Sequence, residues 1–238
     1  MATTGGVHKR CLTFTLHLIL AAVAVHQSLA TASPPGRPER GRYQVTGTNG
    51  SVCLLAHMGL QLNISFASVS LNKTVQDVVN LEPNATKPSG SCDAESATLR
   101  LSADKTNLTF FFTLNTTSNK YHVSAISLSA SWPDMKEPFS ARNGSLDYLR
   151  GTLGYSYMCR EEQTLDVVRA LSINTFQLQV QPFGLTRNQF GTAEECQLDQ
   201  DNMLIAIVVG AALAGLVLIV LVAYLIGRRR SHAGYQTI

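Results

Sequence analysis

The chain has 238 residues, 45% of them apolar and only 15% charged, against roughly 25% charge in an average soluble domain. The deficit comes from two apolar blocks, one near each end, and the 173 residues between them, 31–203, are enough for one domain with a real core. That middle part is near neutral, with 14 basic and 16 acidic residues, so Lys9, Arg10 and Arg228-Arg229-Arg230 carry the formal excess of +3; a basic face for nucleic acid and an intact soluble cytosolic protein are both excluded.

Residues 1–10 are short and basic, 11–25 are mostly apolar, and Ser28-Leu29-Ala30 supplies small residues two apart. This three-part layout predicts a secretory signal peptide over 1–30, cut after Ala30 or, as second choice, after Ala32. Residues 31–42, with the run SPPGRPERGR, read as a Pro-rich extended linker.

A glycosylated β domain is expected over 43–203. Leu60-Gln-Leu62-Asn-Ile64-Ser-Phe66 alternates cleanly, and Leu108-Thr-Phe110-Phe-Phe112-Thr-Leu114 does nearly the same. The alternation of Ile173 with Phe176-Gln-Leu178-Gln-Val180 changes phase near Asn174, where a β-bulge is predicted, and a similar slip separates Val123 and Ala125 from Ile126 and Leu128. Helical periodicity is weak, so the domain is read as all-β with one dry and one wet strand face. Asn-x-Ser/Thr occurs at Asn49, Asn63, Asn72, Asn84, Asn107, Asn115 and Asn143. Seven acceptor sites behind a signal peptide predict an N-glycosylated surface. Cys53, Cys92, Cys159 and Cys196 make an even count for an oxidising compartment and predict two disulfides. Four cysteines allow three pairings; the sequential one encloses loops of 38 and 36 residues, and the sequence alone leaves the choice open.

Residues 204–226 are 23 in a row without a charge, about 34 Å as a helix, which predicts one transmembrane span. Arg228, Arg229 and Arg230 follow as a stop-transfer cluster, so the positive-inside bias places the C-terminus in the cytosol and gives a single-pass type I protein. A glycolipid anchor is excluded by the charged tail. Ala206, Gly210 and Ala214 repeat at four-residue spacing, as do Ala211 and Gly215, a pattern that supports helix self-association and hence a homo-oligomer.

Catalytic chemistry is not legible. His57 and His122 read as structural or surface residues, Glu161-Glu162 and Glu194-Glu195 as solvated charge, and Trp132-Pro133 as a loop anchor. There is no nucleophile elbow, metal-ligand pair, phosphate loop or cofactor motif. The tail 227–238 ends Gly234-Tyr235-Gln-Thr-Ile238. Tyrosine followed three positions later by a bulky apolar residue is the tyrosine-based sorting signal, in which an extended peptide seats Tyr235 and Ile238 in two pockets of a clathrin adaptor complex. A PDZ ligand is disfavoured by Gln236.

This tail, GRRRSHAGYQTI, closely resembles that of the lysosome-associated membrane glycoproteins, nearest to their type 1 branch. The segments Ala211-Ala-Leu-Ala-Gly-Leu-Val-Leu-Ile-Val220, Tyr43-Gln-Val-Thr-Gly-Thr-Asn-Gly-Ser-Val-Cys-Leu-Leu-Ala-His-Met-Gly-Leu-Gln-Leu-Asn-Ile64 and Phe190-Gly-Thr-Ala-Glu-Glu-Cys196 resemble theirs as well. The resemblance spans 42–238 and implies a β-prism luminal domain with the pairs Cys53–Cys92 and Cys159–Cys196. It also implies a non-enzymatic structural glycoprotein of the lysosomal and late endosomal membrane, some of it at the plasma membrane in transit. Such a protein shields the membrane from hydrolases, supports organelle integrity, trafficking and fusion, and has the bilayer, adaptor complexes and glycan-binding lectins as partners. Types 1 and 2 of the family carry two such domains joined by a Pro-rich hinge; here the resemblance covers the membrane-proximal one, with 33–42 as a hinge remnant. The rival reading is an endocytic or cell-surface receptor with the same tail.

Overall fold

The computed structural model describes residues 36–48 and 50–233. The expected signal peptide, Asn49 and the tail residues Gly234, Tyr235 and Ile238 lie outside them. In chain order the strands are β1 (Gly41–Thr46), β2 (Val52–Ala67), β3 (Thr74–Asn80), β4 (Lys87–Cys92), β5 (Ser96–Ala103), β6 (Thr106–Asn115), β7 (Lys120–Ala130), β8 (Phe139–Asn143), β9 (Tyr148–Thr152), β10 (Ser156–Cys159), β11 (Gln163–Val168), β12 (Leu171–Gln181) and β13 (Ala193–Glu195), followed by one helix, α1 (Gln197–Ala233).

The strands form two sheets. The first runs β1-β2-β12-β10-β13, with β3 beside β2 and β11 beside β12; the second runs β4-β5-β6-β7-β8, with β9 beside β7. Pairing is antiparallel throughout except between β10 and β13.

One core lies between the sheets because the central strands turn alternate apolar residues toward it. Leu54, Ala56, Met58, Leu60, Leu62, Ile64 and Phe66 of β2 all face inward and are buried. From the second sheet come Leu99 and Leu101 of β5, and Leu108, Phe110, Phe112 and Leu114 of β6. Each such side chain contributes about 1.5–3 kcal/mol when fully removed from water. The slip expected within 123–128 is a register shift between Phe111 and Phe112 opposite Ala125 and Val123, which lets Val123 and Ile126 both face inward. On β12 the shift falls later than Asn174, between Phe176 and Gln179. Thr175 and Phe176 are both buried, and Gln177 takes a left-handed φ of 47°, so the phase changes there.

Two kinds of link cross between the sheets. The Cys53–Cys92 disulfide joins β2 to β4, closing a separation of 39 residues, which stabilises by about 3–4 kcal/mol on the chain-entropy model. Tyr121 of β7 is fully buried. Its hydroxyl accepts from the Tyr157 N–H at 3.0 Å and shares its proton between the carbonyls of Tyr155 at 3.0 Å and Val180 at 3.3 Å. Burial raises the phenol's pKa well above its usual range, so it remains a neutral donor. Gly151, paired with Tyr121, gives the ring room: a Cβ there would lie 2.3 Å from the hydroxyl oxygen. Tyr121→Phe leaves the buried Tyr157 N–H without an acceptor. The expected loss is about 1–3 kcal/mol, read in thermal unfolding as a fall of roughly 2–4 °C per kcal/mol for a domain of this size. An unchanged Tm would show that the hydroxyl bridges nothing of consequence.

Candidate functional site: the sequon surface and the helix junction

The described end of the expected linker, residues 37–42, packs on the domain. Pro38 is buried, its carbonyl closely approaching Gly59, Arg37 stacks over the Phe176 ring at 5.3 Å, and β1 begins at Gly41. The six described sequon asparagines are spread over both sheets and their loops. Asn63 lies on β2, Asn72 in the β2–β3 turn with φ 47°, and Asn84 in a one-turn 3-10 segment, Pro83–Ala85. Asn107 and Asn115 lie on β6 and Asn143 ends β8. Asn72, Asn84, Asn107 and Asn115 are exposed, and Asn63 and Asn143 are half-buried. Asn63 and Asn107 obey the alternation, Asn63 between buried Leu62 and Ile64 and Asn107 beside buried Leu108, whereas Asn143 shares the half-buried phase of β8 with Phe139 and Ala141.

The residues weighed for chemistry do other work. His57 of β2 packs edge-on against Phe190 with centroids 4.9 Å apart, in an open cleft of about 390 Å³ that also has Arg42, Asn188 and Gln189 on its walls. Burial, then Arg40 and Arg42, lower its pKa, the opposite of what a carboxylate-assisted base shows. His122 is half-buried on β7, in the other sheet. Trp132 is a loop anchor in the literal sense: its Nε1–H donates to Thr106 Oγ1 at 2.9 Å and its ring meets Phe66 edge-on.

Glu194 and Glu195 differ from the expected solvated charge. Both are half-buried on β13 and, being adjacent on a strand, they diverge. Glu194 accepts from the Thr152 N–H at 2.8 Å and from its hydroxyl at 2.5 Å, with Lys120 at 3.8 Å; Glu195 pairs with Arg160 at 3.0 Å. Glu161 and Glu162 are exposed.

These contacts belong to a junction. The Cys159–Cys196 disulfide ties the end of β10 to the residue before α1, and the Cys196 N–H donates to the Met158 carbonyl at 2.8 Å. Asp199, buried in the first turn of α1, accepts from the Arg160 N–H at 2.8 Å and the Glu161 N–H at 3.1 Å. Cys159, Cys196 and Asp199 bring ligand-type atoms together, but the sulfurs are joined as a disulfide and offer no thiolate to a metal. The helix therefore starts seven residues ahead of the apolar stretch 204–226, and its polar first turns are bound to the β domain. Beyond them the apolar side chains of α1 are exposed along its length, through Ile226; Arg228 follows them, and Arg229 and Arg230 continue the helix.

The lowered pKa of His57 has a sign that can be measured. The unfolded chain takes up this proton near pH 6.5, the folded chain only at lower pH. The unfolded state thus binds more protons in that window, and stability falls as pH drops from about 6.5 to the folded value, then levels. His57→Gln is expected to flatten the urea-unfolding stability profile between pH 7 and 5; an identical slope in both proteins would remove His57 from the acid response.

Comparison with known proteins completes this picture. The family model "Lysosome-associated membrane glycoprotein 2-like, luminal domains" matches residues 28–197, and the model for the transmembrane segment of lysosome-associated membrane glycoprotein 2 matches 205–236. Lysosome-associated membrane glycoprotein 1 of Gallus gallus is 50% identical over 203 residues, covering 84% of this chain and 49% of the relative. The Homo sapiens glycoprotein 1 is also 50% identical, with 84% and 48% covered. The crystal structure of the membrane-proximal domain of mouse lysosome-associated membrane protein 1 superimposes with a TM-score of 0.64 at 39% identity, covering 68% of this chain and 99% of that one. The chain spans about half the length of the curated relatives it matches. With an all-β domain, two disulfides and one apolar C-terminal helix joined as described, the chain belongs to the lysosome-associated membrane glycoprotein family.

Proposed function

We propose that the chain is a non-enzymatic structural glycoprotein of the lysosomal and late endosomal limiting membrane, single-pass and type I, whose glycan coat shields the membrane from hydrolases. The observation that carries the reading is the placement of six sequon asparagines at the surface of both sheets, none of them in the core. Sugars at such points occupy the surface a protease must reach, while two disulfides and a continuous core suppress the local opening that cleavage requires. Support for organelle integrity, trafficking and fusion follows from the same coat and anchor. The bilayer holds α1, adaptor complexes take Tyr235 and Ile238, lectins read the glycans, and small residues of the span bring copies together.

Two experiments test this reading. Tyr235→Ala removes an aromatic anchor and its hydroxyl, and steady-state imaging is expected to show the variant accumulating at the plasma membrane. Unchanged lysosomal location would defeat the adaptor assignment, and a ligand-dependent surface pool would favour a receptor. Enzymatic removal of N-glycans from the folded protein is expected to leave the fold intact but shorten survival several-fold in a lysosomal extract at acid pH. Equal lifetimes for stripped and intact protein would mean that the glycans are not the shield.

A further inference from the structure

The cleft beside His57 gathers charge that the coat and the anchor leave unused. Strand alternation places it on the outer face of the first sheet. Arg42 and Gln44 are exposed on β1 and lie directly across from His57 and Leu55 of β2. Leu55 is nonetheless buried, since the loop 182–192 folds back here and sets Phe190 against His57. That loop is held in place. Arg187 and Asn188 both take a left-handed φ of 56°, which non-glycine residues keep only where their surroundings enforce it. The Gln189 N–H donates to the Thr186 carbonyl at 3.1 Å, the Val52 N–H to Asn188 Oδ1 at 3.3 Å, and the Gly191 N–H to Gln181 Oε1 at 2.7 Å. The cleft of about 390 Å³ is therefore preformed.

Its charge is one-sided. Arg40, two residues ahead of Arg42, has its pKa lowered by burial and then by Arg42. The ion pairs of the described residues involve neither arginine. β12 brings Gln179 opposite His57, and the loop brings Asn188, Gln189 and Phe190, none of them charged. Glu39, the carboxylate nearest along the chain, bears on Tyr43 of the core, whose pKa burial and then this charge push up to about 12. A guanidinium fork takes a carboxylate in two parallel bonds. The amides of Gln44, Asn188 and Gln189 offer donors and acceptors to hydroxyl and acetamido groups, and Leu55 and Phe190 offer surface to the C–H face of a ring. An inorganic anion would leave the amides and the apolar wall idle, and a neutral sugar would leave the arginines idle. We propose that this cleft binds a carboxylate-bearing sugar, of the kind that ends sialylated glycans, with Arg42 on the carboxylate and Phe190 against the ring. The site goes beyond the glycan-coat reading and does not depend on it. The sugar comes from this protein's own glycans or from those of another glycoprotein. Burial, then Arg40 and Arg42, lower the pKa of His57, and a bound carboxylate opposes the two arginines. Binding then favours proton uptake, so affinity rises as pH falls from 7 to 5.

The test uses the full-length glycoprotein in detergent, treated with neuraminidase and repurified so that its own sugar acids do not compete. Binding of 3′-sialyllactose is titrated at pH 7 and 5 by saturation-transfer NMR. Saturable binding of sialyllactose, none of lactose, and several-fold tighter binding at pH 5 are expected. Arg42→Gln should weaken binding about tenfold, as for the loss of a charged hydrogen bond. Phe190→Ala should also weaken it, whereas Lys105→Gln, which removes an exposed positive charge from the β5–β6 turn of the other sheet, should not. His57→Gln should bind with no pH dependence. Weaker apparent binding before neuraminidase treatment assigns the sugar to the protein's own glycans, and equal binding assigns it to other glycoproteins. Lactose binding as tight as sialyllactose, inorganic phosphate displacing the sugar at equal concentration, equal affinity at pH 7 and 5, or an unaltered affinity in Arg42→Gln overturns the proposal. Arg42 is exposed, so its variant is expected to keep the wild-type Tm; if Phe190→Ala fails to fold, Arg42→Gln and the pH series still decide.

Discussion

Two-residue alternation of apolar side chains turned toward one core, broken at the bulges of β7 and β12, is the constraint on which this structure depends. Leu62 and Ile64 are buried while Asn63 between them faces out, and Leu108 and Leu114 are buried beside exposed Asn107 and Asn115. A slip of one residue in the β2–β12 or β6–β7 ladders would exchange every pair, sending amides into the core and leucines into water. Burying such an amide without partners costs several kcal/mol, so register and wet face fix each other. Sheets with one dry face must then cover that face, and here each covers the other.

Covering does not by itself choose a relative position, and the specific links between the sheets do. Cys53–Cys92 fixes one end, the Tyr121 hydroxyl joins β7 to β10 and β12 inside the core, and Asn143 and Tyr148 close the β11 edge. Each crosses where a ladder cannot. The Cys159–Cys196 bridge and the Asp199 carboxylate extend the same logic to α1, tying the first turns of the helix to the end of β10. The apolar stretch thus begins from a helix whose start is already bound to the folded domain.

What was legible in the sequence follows from the same alternation. β2, β6 and β12 announce themselves because their dry faces are unbroken. β3 and β4 do not: Thr74–Asn80 buries no residue fully and Lys87–Cys92 is almost wholly exposed, and they are strands because β2 and β5 offer them an edge, not because of their own pattern. The β12 bulge lies beyond Asn174 because the phase change is carried by Thr175, a polar residue buried beside Phe176. Residues 197–202 hold one apolar side chain, Leu198, too few to show a helical period, so the start of α1 is not legible there. Glu194 and Glu195 looked like free charge because their partners, Thr152 and Arg160, are distant in sequence and reach them through the parallel β10–β13 pairing. Cysteine spacing alone admits three pairings, because the contacts that join Cys53 to Cys92 and Cys159 to Cys196 are made by the fold.

The way the fold is held also suits the acidic lumen proposed for it. Among the described residues the ion pairs are Lys120–Glu194, Arg150–Asp147 and Arg160–Glu195, all with largely exposed cations, and pairs of that kind contribute about 0–1 kcal/mol each. Between the two sheets the links are a hydrophobic core, a disulfide, and hydrogen bonds between neutral groups such as the Tyr121 phenol and the Asn143 amide, none of which changes protonation as pH falls from neutral to mildly acidic. At Asp134 a carboxylate carries structure, accepting from the Ser68 hydroxyl at 2.6 Å and the Ser70 N–H at 2.9 Å, and those bonds pull its pKa below the ordinary carboxylate value. A depressed carboxylate keeps its contribution until pH falls through the folded pKa, so this turn outlasts the acidification that protonates an ordinary aspartate. Placing the cohesion between the sheets in groups that do not titrate, and lowering the pKa of an aspartate that holds a turn, keeps the two sheets together where acid would part a pair joined by ionic links.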